Sequence, residues 1–414
     1  MKVSTMRRID SWLGLPACAV LTAWRWLARL FGSRHAGAPE RILFVKLAEQ
    51  GSTVLAVSAF RGAIDRVGRE NVYFLCFEEN RFILDLMDLI PVDNVITIRS
   101  RGLPGTVISA LRAIVTVRRL GLDTAVDLEF FARSSAAISY LGGARNRVGF
   151  HAFGGEGPSR GDLMTHRLRY NPHLHTTQTF RLMVDALDED PDQLPTMRAV
   201  PPAADDPAPP FAPSESEVAG VRRLLVDVGG GPIDGPLVLL NANCSDLLPL
   251  RAWPRERYVE LARRLLDRFP DVRIGMTGAP DEAAPVRALV ESIGSDRCFS
   301  LAGRTTLREL LVIYTLSAVL VTNDSGPAHF ATLTPIEVIT LFGPETPALF
   351  AARSPRNHVI WAGVACSPCV SALNNRVSPC RNNLCMQAID VGRVESEIAR
   401  LLRNECRASL NVVR

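Results

Sequence analysis

Several things are scarce in this sequence, and each scarcity excludes something. The 414 residues carry a net charge of only +4, a balance that gives no support for a nucleic-acid partner. Arg25 and Arg29 interrupt the most apolar stretch, "WLGLPACAVLTAWRWLARLF", and argue against a helix that spans a bilayer. Phosphate-binding P-loops, "GxSxG" elbows and dinucleotide fingerprints are missing, and "DVGGGPIDG" precedes an apolar run instead of following one, so it reads as a loop. The seven histidines are loosely spaced. His151, His166, His173 and His175 suit acceptor binding or plain surface better than a metal.

What is present suits a soluble globular enzyme, with 47% hydrophobic and 22% charged residues. The length suits two domains with a remainder. Residues 1–38 form that remainder. Lys2, Arg7, Arg8, Arg25, Arg29 and Arg34 face only Asp10 there, and three of the five tryptophans, Trp12, Trp24 and Trp26, share the segment. As a helix ending near Gly32, it places Arg25 and Arg29 on one side with Thr22, and Trp24, Leu27 and Phe31 on the other. The expectation is an interfacial anchor on an anionic inner-membrane surface, with buried aromatics and arginines at the headgroups. An uncleaved span or a secretory signal ending near "HAGAP", and a plain packing helix, are the rivals.

From Arg41 onward, short apolar runs alternate with helical stretches. "RILFVK", "NVYFLCF", "NVITI" and "TAVDL" read as buried strands, with helices over "STVLAVSAFRGAIDRVG" and "TVISALRAIVTVRRLG" between them. The Pro/Ala-rich segment 201–217 reads as a linker. Alternation then restarts with strands "PLVLLN", "VRIGMTG", "SAVLVTN" and "IEVITLFG" and ends with helix "VESEIARLLRN". The pattern predicts α/β architecture. Two doubly wound, Rossmann-like domains, 39–200 and 218–414, would face a cleft and bind ligand at the carboxyl ends of their strands.

One such strand end reads "TNDSGPAHF". Here Ser325 can cap a helix, Pro327 suits its first turn and Gly326 admits a close ligand. Free amides of Gly326, Ala328 and His329 would then face an anion such as a diphosphate. Alone, the stretch reads first as a well-capped helix.

Taken together, "DLLPLRAWPRERYVELARRL", "SLAGRTTLRELLVIYTLSAVLVTNDSGPAHFATL" and "EVITLFGPETP" resemble glycosyltransferase family 9, the heptosyltransferases of lipopolysaccharide inner-core synthesis. The resemblance implies a GT-B fold and metal-independent, inverting transfer of a sugar, usually from ADP-heptose, to a lipopolysaccharide-core or related glycolipid or polysaccharide acceptor. Asp324 would bind sugar hydroxyls, while Ser325, Gly326 and His329 surround the diphosphate and Ser245 joins the donor site. Arg251 in "LRAWP" stands where the family commonly has a phosphate-reaching lysine, a contact that arginine can also make.

The first domain departs from the family pattern. In "VKLAEQGSTVLA", Gly51 matches a family glycine, but Ser52 stands where the catalytic aspartate is expected. Serine is no ordinary base at neutral pH. Glu49 in the same loop is the candidate base, Glu129 in "DLEFF" a second, and Lys46 a candidate contact to acceptor or phosphate. Ser52 also suggests a rival class, a non-catalytic nucleotide-sugar binder, and a GT-B-like sugar-nucleotide epimerase is another.

Cysteines form a final constellation. Cys366, Cys369, Cys380 and Cys385 have a spacing that can close a tetrahedral structural zinc site, pair as disulfides or remain free thiols. The reaction itself requires no cofactor. Activity is expected in the cytoplasm, peripheral at the inner membrane.

Overall fold

The computed structural model describes residues 3–30, 37–194, 199–201, 207–244 and 248–412. It divides into two compact units, Met1–Pro207 with Val370–Ser378, and Ala208–Cys369 with Pro379–Arg414. A short stretch late in the sequence therefore belongs to the first unit.

Six parallel strands form the sheet of the N-terminal unit: β1 (Ile42–Val45), β2 (Val72–Phe77), β3 (Val95–Ile98), β4 (Thr124–Asp127), β5 (Asn146–Phe150) and β6 (His166–Leu168), in the order β3-β2-β1-β4-β5-β6. Its helices are α1 (Val3–Leu30), α2 (Gln50–Val54), α3 (Val57–Val67), α4 (Arg81–Met87), α5 (Gly102–Arg119), α6 (Arg133–Leu141) and α7 (Thr176–Asp185). The central strand β1, "ILFV", is wholly buried because helices cover both faces of a parallel sheet. Strand β5 escapes a hydrophobic pattern because it begins Asn146-Arg147, both buried. Asn146 donates to Thr124 Oγ1 at 3.1 Å and Arg147 to the Leu163 carbonyl at 2.7 Å, which is how those polar groups enter a core. The single helix expected after Gly51 is two, broken at Ala56, whose φ of −91° and ψ of 3° leave the α region.

In the C-terminal unit, β7 (Leu237–Asn241), β8 (Arg273–Met276), β9 (Cys298–Ser300), β10 (Val319–Asn323), β11 (Glu337–Phe342) and β12 (Asn357–Trp361) pair in parallel in the order β12-β11-β10-β7-β8-β9. The helices are α8 (Glu215–Gly229), α9 (Arg255–Arg268), α10 (Ala283–Ile293), α11 (Leu307–Thr315), α12 (Gly326–Ala331), α13 (Pro347–Phe350), α14 (Leu384–Gln387) and α15 (Val391–Val412). Strand order reverses between β1 and β4 in one sheet and between β7 and β10 in the other, the topological points where such sheets place ligands.

Segment 201–217 is not linker throughout. Phe211 is buried and its amide donates to the Leu333 carbonyl at 2.7 Å. A reciprocal capping box then starts α8: the Glu217 amide donates to Ser214 Oγ at 3.3 Å, and the Ser214 amide to Glu217 Oε2 at 2.8 Å. These polar residues, which read as loop, are helix-start chemistry.

The N-terminal segment is helical, as its periodicity requires, but Arg25 does not point outward. It is 6% exposed and pairs with Asp162 at 2.8 Å. Trp12, Trp24 and Trp26 are exposed instead. No described helix is long and apolar enough to cross a membrane.

Candidate functional site

Two polar clusters occupy the strand ends at the two reversal points. In the C-terminal unit, β10 delivers Asn323 and then Asp324. Asn323 is wholly buried and structural: its side-chain oxygen accepts from the Trp253 amide at 3.0 Å and the Tyr258 hydroxyl at 3.2 Å, and its amide donates to the Asn243 carbonyl at 3.1 Å. That network pins the strand end, and Trp253 packs on Tyr258 beneath it at 4.9 Å. Asp324 is thereby held at the carboxyl end of a central strand, with its amide donating to the Leu341 carbonyl at 3.0 Å.

Arg251, in a short 3-10 turn, brings its Nη1 to 3.8 Å from Asp324 Oδ2 and 3.4 Å from Glu345 Oε2. All three side chains are largely buried. The cluster offers carboxylate acceptors for hydroxyl groups and a planar guanidinium for phosphate oxygens. Glu345 was missed as a site residue, although it lies in "FGPETP", one of the stretches that carry the family resemblance.

The turn after Asp324 differs from its expected capping. Ser325 is the N-cap of α12, yet its side chain caps nothing. The hydroxyl donates to the Asn323 carbonyl at 3.1 Å. The Ala328 amide is engaged by the Ser325 carbonyl at 3.1 Å, which corrects the expectation that it is free. A Cβ on Gly326 would lie 3.3 Å from the Phe330 ring, so packing supplies one reason for glycine there. His329 is buried in the same helix. Ser245 lies outside the described residues.

In the N-terminal unit, Lys46 follows β1 with its side chain wholly buried. A buried ammonium requires partners, and Nζ lies 3.5 Å from Glu129 Oε1 and 3.7 Å from Glu49 Oε2. Glu129 follows β4 and also accepts from the amides of Leu47 at 2.8 Å and Ala48 at 3.2 Å, clamping the loop that carries Glu49. Glu49 itself has φ 69° and ψ 74°. This left-handed backbone costs a non-glycine residue on the order of 1 kcal/mol and marks functional loops. Its carboxylate also receives Arg376, whose guanidinium lies 5.7 Å from the Phe130 ring.

Arg376 sits in the segment Val370–Ser378 and lies 327 residues from Glu49 in the chain. No sequence signal joins them. Ser52, in the family's aspartate position, spends its hydroxyl proton on the Glu49 carbonyl at 2.8 Å and so shapes the turn that presents Glu49. Behind the cluster, Asp127 and Arg160 form a buried pair at 2.8 Å. Burial pushes the Asp127 carboxyl up to about 6 even beside that guanidinium.

Other expected residues are not brought together. Among the described residues, no group of three or more His, Cys, Asp or Glu side chains is placed to hold a metal ion. Cys366 and Cys380 are exposed and Cys385 is buried, with a Cβ on Gly343 only 3.1 Å from its sulfur. None of these three is in a disulfide, so the pairing that their spacing allows is not formed among the described residues. His175 caps α7 by accepting from the Thr177 amide at 3.2 Å, and His166 is buried on β6.

Two doubly wound parallel sheets are the architecture of the GT-B fold class. Residues 112–377 match the family profile "Glycosyltransferase family 9 (heptosyltransferase)", and the chain belongs to that family. Arg251, Asp324, Glu345 and Arg376 all fall inside the matched stretch. The lipopolysaccharide heptosyltransferase 2 of Salmonella typhimurium is 29% identical over 113 residues, 27% of this chain, and the match spans 32% of that protein's length. Among solved structures, the Escherichia coli ADP-heptose lipopolysaccharide heptosyltransferase II superposes with a TM-score of 0.67 at 19% identity, covering 88% of this chain and 99% of the other. The family 9 glycosyl transferase of Veillonella parvula gives 0.68 at 16% identity, covering 90% and 100%.

Proposed function

We propose that this chain is an inverting glycosyltransferase that moves a sugar from a nucleoside diphosphate, most simply heptose from ADP-heptose, to a lipopolysaccharide-core acceptor at the inner-membrane surface. The observation that carries this reading is the Arg251–Asp324–Glu345 cluster at the β7/β10 reversal, inside the family-matched stretch. Arg251 neutralises charge on the departing diphosphate, while Asp324 and Glu345 accept hydrogen bonds from donor hydroxyls.

In the N-terminal unit, Glu49 is the carboxylate suited to take the acceptor proton. As that proton passes to Glu49, the acceptor oxygen bonds to the anomeric carbon from the side opposite the diphosphate. The bond from carbon to diphosphate oxygen breaks, and the configuration inverts. Lys46 and Arg376 orient Glu49, and Ser52 holds its backbone turn.

The test is transfer by the purified chain from a panel of nucleotide sugars to a cell-envelope glycolipid extract. Transfer from ADP-heptose with inversion is expected, and Asp324→Ala should lose donor affinity and turnover. Unchanged donor affinity in Asp324→Ala would sink the donor-site assignment. Ser52 gives one specific ground for a second reading, a binder without catalysis: such a chain would bind ADP-sugar yet show neither transfer nor hydrolysis. Sugar-nucleotide product formed without acceptor would instead reveal an epimerase.

A further inference from the structure

The N-terminal unit has a strongly charged feature that glycosyl transfer does not use. Helix α1 packs against the α6 region through Gly14, Cys18, Thr22 and Arg25. A Cβ on Gly14 would lie 2.7 Å from that of Arg133, Cys18 Sγ lies 3.7 Å from the Arg133 carbonyl, and Thr22 Oγ1 accepts from the Asp162 amide at 2.9 Å. The opposite face is apolar and open, with Trp12 81%, Trp24 65% and Leu30 79% exposed. Soluble surfaces seldom keep tryptophans so open without a partner.

Beside this face runs a groove of about 780 Å³ whose lining includes Arg25, Arg29, Arg118, Arg145 and Arg147. Among the described residues, three carboxylates touch these five cations: Asp162 is shared by Arg25 and Arg29, while Glu40 and Asp123 meet Arg145. Arg118 and Arg147 donate instead to main-chain carbonyls, Leu141 at 2.6 Å and Leu163 at 2.7 Å. Burial lowers Arg147 to about 10, and the nearby charge of Arg25 and Arg29 pushes the same way. Cation crowding of this kind is relieved by an anion.

Trp24 stands on the groove's rim. A second open apolar row, Leu103, Val107, Leu111 and Val115, runs along α5 at four-residue spacing toward Arg118. Phosphate-binding cations bordered by open tryptophan and leucine match the layered chemistry of a lipid surface, with charge at headgroup depth and apolar contact below it.

We propose that the groove seats the phosphate of an anionic phospholipid headgroup while the open faces of α1 and α5 enter the surrounding lipid. This deepens the inner-membrane placement within the proposed function and rests on it. It also reassigns the cations: Arg25 builds the groove from within, and Arg29 and Arg118 meet the headgroup.

The test uses the full chain and cosedimentation with vesicles of phosphatidylcholine, alone or with phosphatidylglycerol. Partitioning should require phosphatidylglycerol, and Arg29→Gln with Arg118→Gln should lower it by about thirtyfold. Both side chains are exposed, so folding is expected to survive. An equivalent double change on α8, Arg222→Gln with Arg223→Gln, should leave partitioning unchanged. Equal binding to phosphatidylcholine alone, or an equal loss from the α8 pair, would overturn the proposal. Release of the vesicles by millimolar inorganic phosphate would overturn it in favour of a soluble phosphate ligand. ADP-heptose affinity, measured on the same variants, should not move. If the wild type fails to bind donor yet obeys the vesicle results, the transferase reading fails and the lipid groove stands.

Discussion

The two units share one strand order but build their polar clusters differently. In the C-terminal unit, Asp324 and Glu345 follow neighbouring strands β10 and β11, and Arg251 follows the region after β7, so the cluster is assembled from successive strand ends of a single sheet. In the N-terminal unit, Glu49 and Glu129 also follow strands, but Arg376 arrives on a segment that the chain sends back after nearly completing the other unit. Two copies of one topology can thus carry a cluster that is local to motifs and one that exists only after the whole chain has folded. The first joins one guanidinium to two carboxylates. The second places a carboxylate on a left-handed backbone between two cations.

This contrast predicts that variants in the two units will move different constants. The largest effect is expected from Glu49→Gln, which should lower kcat by about 100-fold to 10,000-fold with donor affinity unchanged, because general-base catalysis contributes on that scale. Steady-state kinetics with calorimetric donor titration separates the two; full activity in this variant would remove Glu49 as the base. Next, Arg251→Ala should weaken donor binding by about 10-fold to 100-fold, the size of a charge-assisted hydrogen bond, and affect acceptor KM little. Were kcat alone to fall, the division of labour between the units would be wrong.

A smaller change is expected from Arg376→Ala. It removes one of the two cations beside the Glu49 carboxylate, so kcat should drop about tenfold while the pH profile of kcat shifts and donor affinity holds. Arg376→Lys should restore part of the loss. An unshifted profile would make Arg376 a structural tether only.

The smallest effect concerns the cap of α8. Hydrogen bonding from Arg308, and then from Ser214, holds the Glu217 carboxyl down to about 2. A carboxyl lower in the folded state than in the unfolded chain contributes stability that is complete above the ordinary carboxylate range and is lost as pH falls from there through about 2. Ser214→Ala should lower the melting temperature of the C-terminal unit at neutral pH and reduce its acid dependence, read as melting temperature against pH. A parallel acid profile for wild type and variant would show that the cap does not control it.

Much of the C-terminal cluster was legible because its parts sit in short, chemically distinctive stretches. "NDSGPAH" and "FGPETP" each join a buried strand to a turn, and Arg251 lies in "LRAWP". What those stretches concealed was the use of each group: Ser325 donates backward instead of capping forward, and Glu345 turns inward to Arg251. In the N-terminal unit, Lys46, Glu49 and Glu129 were legible as strand-end residues, whereas Arg376, Asp127 and Arg160 were not. A buried arginine–carboxylate pair leaves no periodic trace, because burial depends on what packs around it.

The amino-acid sequence by itself determined the alternation of strands and helices, the doubling of the domain and the family. Those follow from apolar runs and turn residues acting over a few neighbours. Only the tertiary structure decided that Arg25 faces Asp162 instead of solvent, that Arg376 reaches Glu49, and that Phe211 in the proline-rich segment is buried against Leu333. The physical reason is common to all three. The partner of a charge or a buried ring is set by distance in space, and that distance is created when the sheets assemble and the chain returns from one unit to the other.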